Sequence, residues 1–212
     1  MSLKTIPTYT YRYTPYEKRA TWELNPHQAA LLVHDMQNYF VSIFEDENKG
    51  QIQQAIHNTS ALINAARDSG IPVYYTAQPP RQHPDDRALL TDIWGEGLQE
   101  DADAEIIPAL APTQQDTVLT KWRYSAFAKS TFEEDLKLSG RNQLIITGVY
   151  AHIGCMTTAL DAFMRDIQVF FTADALADFS QKEHELACDY VAQRCGIVTS
   201  TQDILTALSR QD

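Results

Sequence analysis

The chain has 212 residues, with 17 Lys and Arg against 28 Asp and Glu, for a formal net charge of -11. That length suits one domain with a sizeable core. The acidic balance argues against nucleic acid or an anionic membrane as a partner, and it means that an anionic ligand needs a local concentration of the few cations. Cys155, Cys188 and Cys195 form neither a disulfide framework nor a zinc pattern, which points to a reducing, cytoplasmic setting. The start, MSLKTIPTYTYRY, has no apolar core of signal-peptide length, and no later run approaches a membrane span.

Taken in order, residues 1–28 read as an N-terminal arm and residues 29–212 as the domain proper. In the arm, Tyr9, Tyr11 and Tyr13 recur at a spacing of two, so an extended chain places them on one face, across either the domain or a partner subunit. Ala29 to Val33 is the first buried-strand candidate, with His34 and Asp35 at its carboxyl end. Gln51 to Asp68 has helical spacing of Ile52, Ile56, Leu62, Ile63 and Ala66, and Gly70 caps it. Pro72 to Ala77 is the second strand, closed by Gln78, Pro79 and Pro80. Residues 81–116 are loop-rich, broken by Pro84, Pro108 and Pro112, with room for a short helix around Asp85 to Trp94.

Val118 to Thr120 is the third strand, followed at once by Lys121, Trp122 and Arg123. Thr131 to Leu138 reads as a helix capped by Gly140. Gln143 to Thr147 is a buried strand that Gly148 ends. From Gly154 onward Met156, Ala159, Leu160, Phe163 and Ile167 follow a helical period. Val169 to Thr172, Gln181 to Arg194, Ile197 to Thr199 and Gln202 to Leu208 complete the alternation as strand, helix, strand and helix. The pattern predicts an α/β fold with a parallel sheet covered on both faces.

Ligands in such sheets bind beyond the carboxyl ends of the strands. Asp35, Gln78, Lys121 and Tyr150 stand at those ends, and Asp35 with Lys121 makes a plausible buried pair, either catalytic or a structural ion pair. The turn after the fourth strand would add backbone N–H groups that attract anions. His34 and His152 lie near the same edge, but no third residue has metal-ligand spacing, so neither a metal nor another cofactor is expected. His83 and Arg81 read as solvated loop residues.

The stretches VHDMQNYF, YTAQP, TKWRYSAF, GVYAHIGCMTTALDAFMRDI and ADALADFS, in this order over residues 29–200, resemble the isochorismatase-like hydrolases. Among these the chain is most similar to the isochorismatases of catecholate siderophore synthesis. The resemblance implies a six-stranded parallel sheet, Rossmann-like, and hydrolysis of isochorismate, a dianion, to pyruvate and 2,3-dihydro-2,3-dihydroxybenzoate. It puts Asp35 on the catalytic aspartate and Lys121 on its lysine. Gln78, Arg87, Trp94, Tyr124 and Tyr150 fall on pocket positions, and a cis peptide is implied at Val149–Tyr150.

Gly154 falls where cysteine-dependent relatives carry their nucleophile. It would leave space and an exposed N–H there, and Cys155, one residue on, would turn away by about 100°. The resemblance leaves three alternatives: an aminodeoxyisochorismate hydrolase of the phenazine type, a nicotinamidase-like cysteine amidohydrolase using Cys155, and a non-catalytic binding member. Several siderophore isochorismatases continue into an aryl carrier domain, which is not expected here because the chain stops at Asp212. A separate aryl carrier protein or siderophore synthetase is the implied partner, and the arm hints at a homodimer.

Overall fold

The computed structural model describes residues 4–209, so residues 1–3 of the expected arm and residues 210–212 of the expected domain, with Asp212, lie outside the described residues. Six strands form one all-parallel sheet: β1 (Ala29–His34), β2 (Val73–Ala77), β3 (Thr117–Thr120), β4 (Gln143–Val149), β5 (Gln168–Ala177) and β6 (Ile197–Thr199). Their order is β3-β2-β1-β4-β5-β6. The chain therefore builds outward from β1 on one side and from β4 on the other. The crevice between β1 and β4 is the topological switch point, the place where such sheets bind ligands.

Strand residues alternate between two cores. Ala29, Leu31 and Val33 face one, which takes Ile52 and Leu62 from α2 (Gly50–Asp68) and Ile204 and Leu208 from α9 (Thr201–Leu208). Ala30 and Leu32 face the other, filled by α6 (Phe132–Leu138), α7 (Met156–Phe163) and α8 (Gln181–Arg194). Burial on both faces explains why the strands read as continuous apolar runs. Gly70 and Gly140 close α2 and α6 at positive φ, as expected of C-terminal glycines.

Four expectations about elements need correction. Gly148 does not end β4. It carries φ 107, and a Cβ there would lie 2.2 Å from the His34 carbonyl oxygen, so glycine lets β4 close on β1 as the strand continues to Val149. The pairing of β4 with β5 shifts register at this point, and β5 runs on past Thr172 to Ala177 to meet Gly148 and Val149. The short helix around Asp85 to Trp94 is two, α3 (Pro84–Arg87) and α4 (Leu90–Trp94), divided at Ala88 with φ 46. The helix after β4 begins as a π-turn, Ala151–Cys155, and its buried stripe is Cys155, Thr158, Ala159 and Ala162. Of the larger residues expected inside, Leu160 and Phe163 are partly exposed and Ile167 lies beyond the helix. Small side chains let this helix sit close to the sheet, and they carry little hydropathy to betray the buried face. Three short elements went unread: α1 (Asn38–Val41), α5 (Asp101–Ala104) and a 3-10 turn, Pro108–Leu110.

The arm crosses its own domain. Ile6 bridges to Phe44. The Tyr11 ring stacks on His184 at 4.1 Å and is buried. His184 Nε2 donates to the Ala173 carbonyl, which leaves Nδ1 to accept from the Tyr9 hydroxyl at 3.0 Å. The same hydroxyl accepts the Asp178 N–H at 2.7 Å. The tyrosines thus gain their burial within one chain and give no argument for a second copy. Tyr11→Ala is expected to lower unfolding free energy by about 3 kcal/mol, the cost of deleting a buried aromatic ring. Urea unfolding measures it, and a loss under about 1 kcal/mol would show that the arm is not docked.

Candidate active site

Asp35 leaves β1 with φ 49, in the left-handed region that a short polar side chain tolerates better than most. Two bonds from Thr76 on β2 hold it there. The Asp35 N–H donates to Thr76 Oγ1 at 3.0 Å, and the Thr76 hydroxyl donates to Asp35 Oδ1 at 2.6 Å. The other carboxylate oxygen, Oδ2, accepts from Lys121 Nζ at 2.8 Å. Lys121 is placed just past β3 by its own N–H, which donates to the Ala77 carbonyl. Asp35 and Lys121 are 7% and 3% exposed, so this is a buried ion pair with nearly all water removed.

The electrostatic balance, undecided by the sequence, favours the anion in the free site. Burial works to raise the Asp35 carboxyl, but the Lys121 charge and the donors around it outweigh burial and hold it well below the usual carboxylate range. His34, fully buried beside it, is pushed down by burial and by the Lys121 charge, and stays neutral.

Asp35 and Lys121 open into a cleft beyond the carboxyl ends of the strands, where such sheets bind ligands. Gln78, Arg87, Trp94, Tyr124, Tyr150 and Gly154 all line it, so the eight residues singled out in the sequence come together. Arg87 is 4% exposed, donates Nε–H to the Gly95 carbonyl, and keeps a buried Nη1 with no partner. Trp94 Nε1 donates to the Tyr124 hydroxyl at 2.8 Å, joining α4 to the segment after β3 over the cleft. The Val149–Tyr150 peptide is cis, and the Tyr150 hydroxyl donates to the Phe40 carbonyl at 2.8 Å, which leaves its oxygen only as an acceptor.

Phe40, in the VHDMQNYF stretch, lines the cleft too, and Tyr39, Leu98, Arg123, Ile153 and Phe179 line it without having been singled out. Most stand inside stretches that carry the family resemblance, and that membership was the available signal. Gln37 does not touch the cleft but frames it. Its amide donates to the Gln78 and Ala104 carbonyls, and its oxygen accepts the Gln78 N–H.

The turn after β4 offers an anion less than expected. The His152 N–H already donates to Asp178 Oδ2, and the Ile153 and Cys155 N–H groups donate to the Tyr150 carbonyl. The space over Gly154 is also taken, because a Cβ there would lie 2.4 Å from His34 Cε1. His152 pairs with Asp178 at 2.6 Å, and His34 Nε2 lies 3.0 Å from Thr158 Oγ1. Among the described residues, no group of three or more His, Cys, Asp or Glu is placed to hold a metal ion, and no helix is long and apolar enough to cross a membrane.

An isochorismatase domain model matches residues 29–203. The chain belongs to the isochorismatase family. It is 56% identical over 192 residues to enterobactin synthase component B of Escherichia coli K12, covering 90% of this chain and 67% of that protein. It is 49% identical over 193 residues to the isochorismatase of Bacillus subtilis, covering 91% of this chain and 62% of that protein. The chain thus spans about two thirds of the length of these relatives. A solved cysteine hydrolase from Pseudomonas syringae pv. phaseolicola superposes with a TM-score of 0.79 at 24% identity, covering 89% of this chain and 95% of that one, which speaks to the shared fold.

Within this isochorismatase-family site the thiol nearest the turn is poorly placed for attack. Cys155 is fully buried, and burial pushes its thiol well above the ordinary range, so little thiolate exists at neutral pH. Cys188 and Cys195 are buried as well, their thiols pushed up to about 12 and about 11. With a chromogenic disulfide reagent the folded protein is expected to show no fast-reacting thiol, and the urea-unfolded chain three. Rapid modification that peptide mapping locates at Cys155 would contradict this account of the turn.

Proposed function

We propose that the chain hydrolyses the vinyl ether of isochorismate to pyruvate and 2,3-dihydro-2,3-dihydroxybenzoate, as a step of catecholate siderophore synthesis, with Asp35 as the general acid. The observation that carries this reading is the Asp35–Lys121 pair opening into a cleft that holds a second buried cation, Arg87, and no accessible thiol. The relatives' names support the reaction class.

Vinyl ether cleavage needs no protein nucleophile. It needs a proton on the terminal methylene carbon, which leaves an oxocarbenium ion. Water adds to that ion, and the hemiketal collapses to pyruvate and the ring alcohol. Asp35 is the group that delivers the proton. Because it is ionised in the free site, it must first gain one. A dianion entering the cleft supplies the cause: its carboxylates draw on the Lys121 and Arg87 charges and add negative charge beside Asp35, and both effects raise the carboxyl. With several turn amides engaged, Arg87 and Lys121 are the principal anchors. Gln78 offers a neutral hydrogen bond, Tyr150 accepts from a ring hydroxyl, and Trp94 and Tyr124 exclude water. Gly154 lines the cleft without a side chain.

The same proposal reads residues 1–28 as an arm and residues 29–212 as the hydrolase domain. It places the protein in the cytoplasm, with an aryl carrier domain or a siderophore synthetase as its macromolecular partner.

The purified protein is expected to release pyruvate from isochorismate, read with lactate dehydrogenase and NADH, and no ammonia from nicotinamide. Aminodeoxyisochorismate, run in parallel, ranks the two ethers by kcat/KM. Asp35→Asn is expected to lower kcat by roughly 10²-fold or more, the usual worth of a general acid, in a protein whose circular dichroism matches wild type. A folded Asp35→Asn protein that keeps more than about a tenth of the wild-type rate would sink the assignment.

A further inference from the structure

The contact between Gly154 and His34 joins the acid to the position where the family resemblance puts a nucleophile in cysteine-dependent relatives. A Cβ at residue 154 would lie 2.4 Å from His34 Cε1, 3.0 Å from Nδ1 and 3.2 Å from Nε2. The imidazole has little room to retreat, since it is fully buried between β1 and the turn after β4. Its Nε2 lies 3.0 Å from Thr158 Oγ1, and that oxygen already accepts the Ala126 N–H at 3.0 Å. On its other side Nδ1 lies 3.5 Å from Asp35 Oδ2 and has no hydrogen-bond partner. A bare nitrogen lone pair would be repelled by the carboxylate, so the proton sits on Nδ1 and the Thr158 hydroxyl donates to Nε2.

We infer that His34 is a positioning and specificity-determining residue: its imidazole fills the volume that a nucleophilic side chain at 154 would require, and its Nδ1–H orients the Asp35 carboxylate toward the cleft. The positioning half rests on the function proposed above, and the steric half stands without it. Oδ1 is fixed by Thr76, and Oδ2 accepts from Lys121 Nζ at 2.8 Å while His34 Nδ1 stands 3.5 Å away. Lys121 lines the cleft and is open to competition from an incoming carboxylate, whereas His34 has no exposure and cannot be drawn away. As the lysine turns toward the substrate, the imidazole Nδ1–H is the donor left beside Oδ2 to keep the acid aimed. The same packing explains why one substitution at 154 cannot install a thiol here, because its Cβ alone would displace the residue that positions the acid.

The test has a stability arm and a kinetic arm. In urea, Gly154→Ala is expected to lower the unfolding midpoint in the wild-type background and to have little effect in a His34→Ala background. If Gly154→Ala fails to fold, recovery of folded protein in the double variant is the same result. An equal loss in both backgrounds would overturn the steric half. For isochorismate hydrolysis, His34→Ala is expected to lower kcat at least tenfold with KM within about threefold, and His34→Gln, which returns an amide N–H, to recover part of the loss.

The pH limb set by the Asp35 proton should move up in His34→Ala, since a carboxyl that loses a donor holds its proton more tightly. Lys121, Thr76, Tyr150 and Cys155, the other groups close enough to act on Asp35, are unchanged in that variant. Should His34→Ala be unstable, Thr158→Val, which frees Nε2 while keeping the ring, is expected to move the same limb in the same direction. Folded variants with wild-type kcat and an unmoved pH profile would overturn the positioning half. A wild-type protein inactive on isochorismate would sink the function and leave the stability arm standing.

Discussion

A carboxylate and an ammonium taken out of water together are the constraint that the rest of the structure serves. Each ion loses several kcal/mol of hydration on burial, and only close geometry with further hydrogen bonds repays it. The pair meets that condition by drawing on three adjacent strands: Asp35 ends β1, Thr76 on β2 satisfies Oδ1 and the Asp35 N–H, and Lys121 follows β3 at 2.8 Å from Oδ2. Removing one partner would leave the other charged and uncompensated, a loss on the order of 3–5 kcal/mol. The arrangement therefore serves poorly as a staple and well as a device. On the proposed function, it stores an anion beside a cation that an incoming dianion can borrow, and the borrowing turns that anion into an acid.

The other side of the switch point is built from backbone. Gly148 lets β4 approach the carbonyl of His34, and the chain then passes through a cis peptide and a π-turn before α7 begins. Asp178, at the end of β5, accepts the His152 N–H and pairs with its ring. Tyr9 from the arm in turn accepts the Asp178 N–H. A line of hydrogen bonds thus runs from the first residues of the fold to the turn beneath the cleft. The turn's amides are largely spent on its own geometry, so the proposed function gives recognition of an anion to Arg87 and Lys121.

The legible part of this molecule was the part written in side-chain pattern. Apolar runs gave six strands along the chain, though not their order in the sheet, and polar residues at strand ends gave Asp35, Gln78, Lys121 and Tyr150, which do share one cleft. Arg87, Trp94, Tyr124 and Gly154 came from family resemblance, since no period or spacing marks them. What stayed hidden depends on contacts across the sheet. Gly148 looks like a terminator in one dimension and is a close-approach glycine in three. The face of α7 is marked by alanine and threonine, whose weak hydropathy hides burial, while Leu160 and Phe163 read as core and are partly exposed. The room expected over Gly154 is filled by His34, a residue 120 positions earlier that only the fold brings there. The ionisation of Asp35 was also illegible, because it is the difference between burial and a lysine 86 positions away.

The central claim is that Asp35 rests as an anion and becomes an acid when a dianion binds. Titration calorimetry with a saturated ether analogue of isochorismate, which has no methylene carbon to protonate, measures this directly when repeated at neutral pH in two buffers of different ionisation enthalpy. The account predicts uptake of about one proton per bound analogue in the wild type, because a carboxyl held well below the usual range must be filled in the complex, and no such uptake in Asp35→Asn. Binding of the analogue with no buffer dependence in the wild-type protein would contradict it.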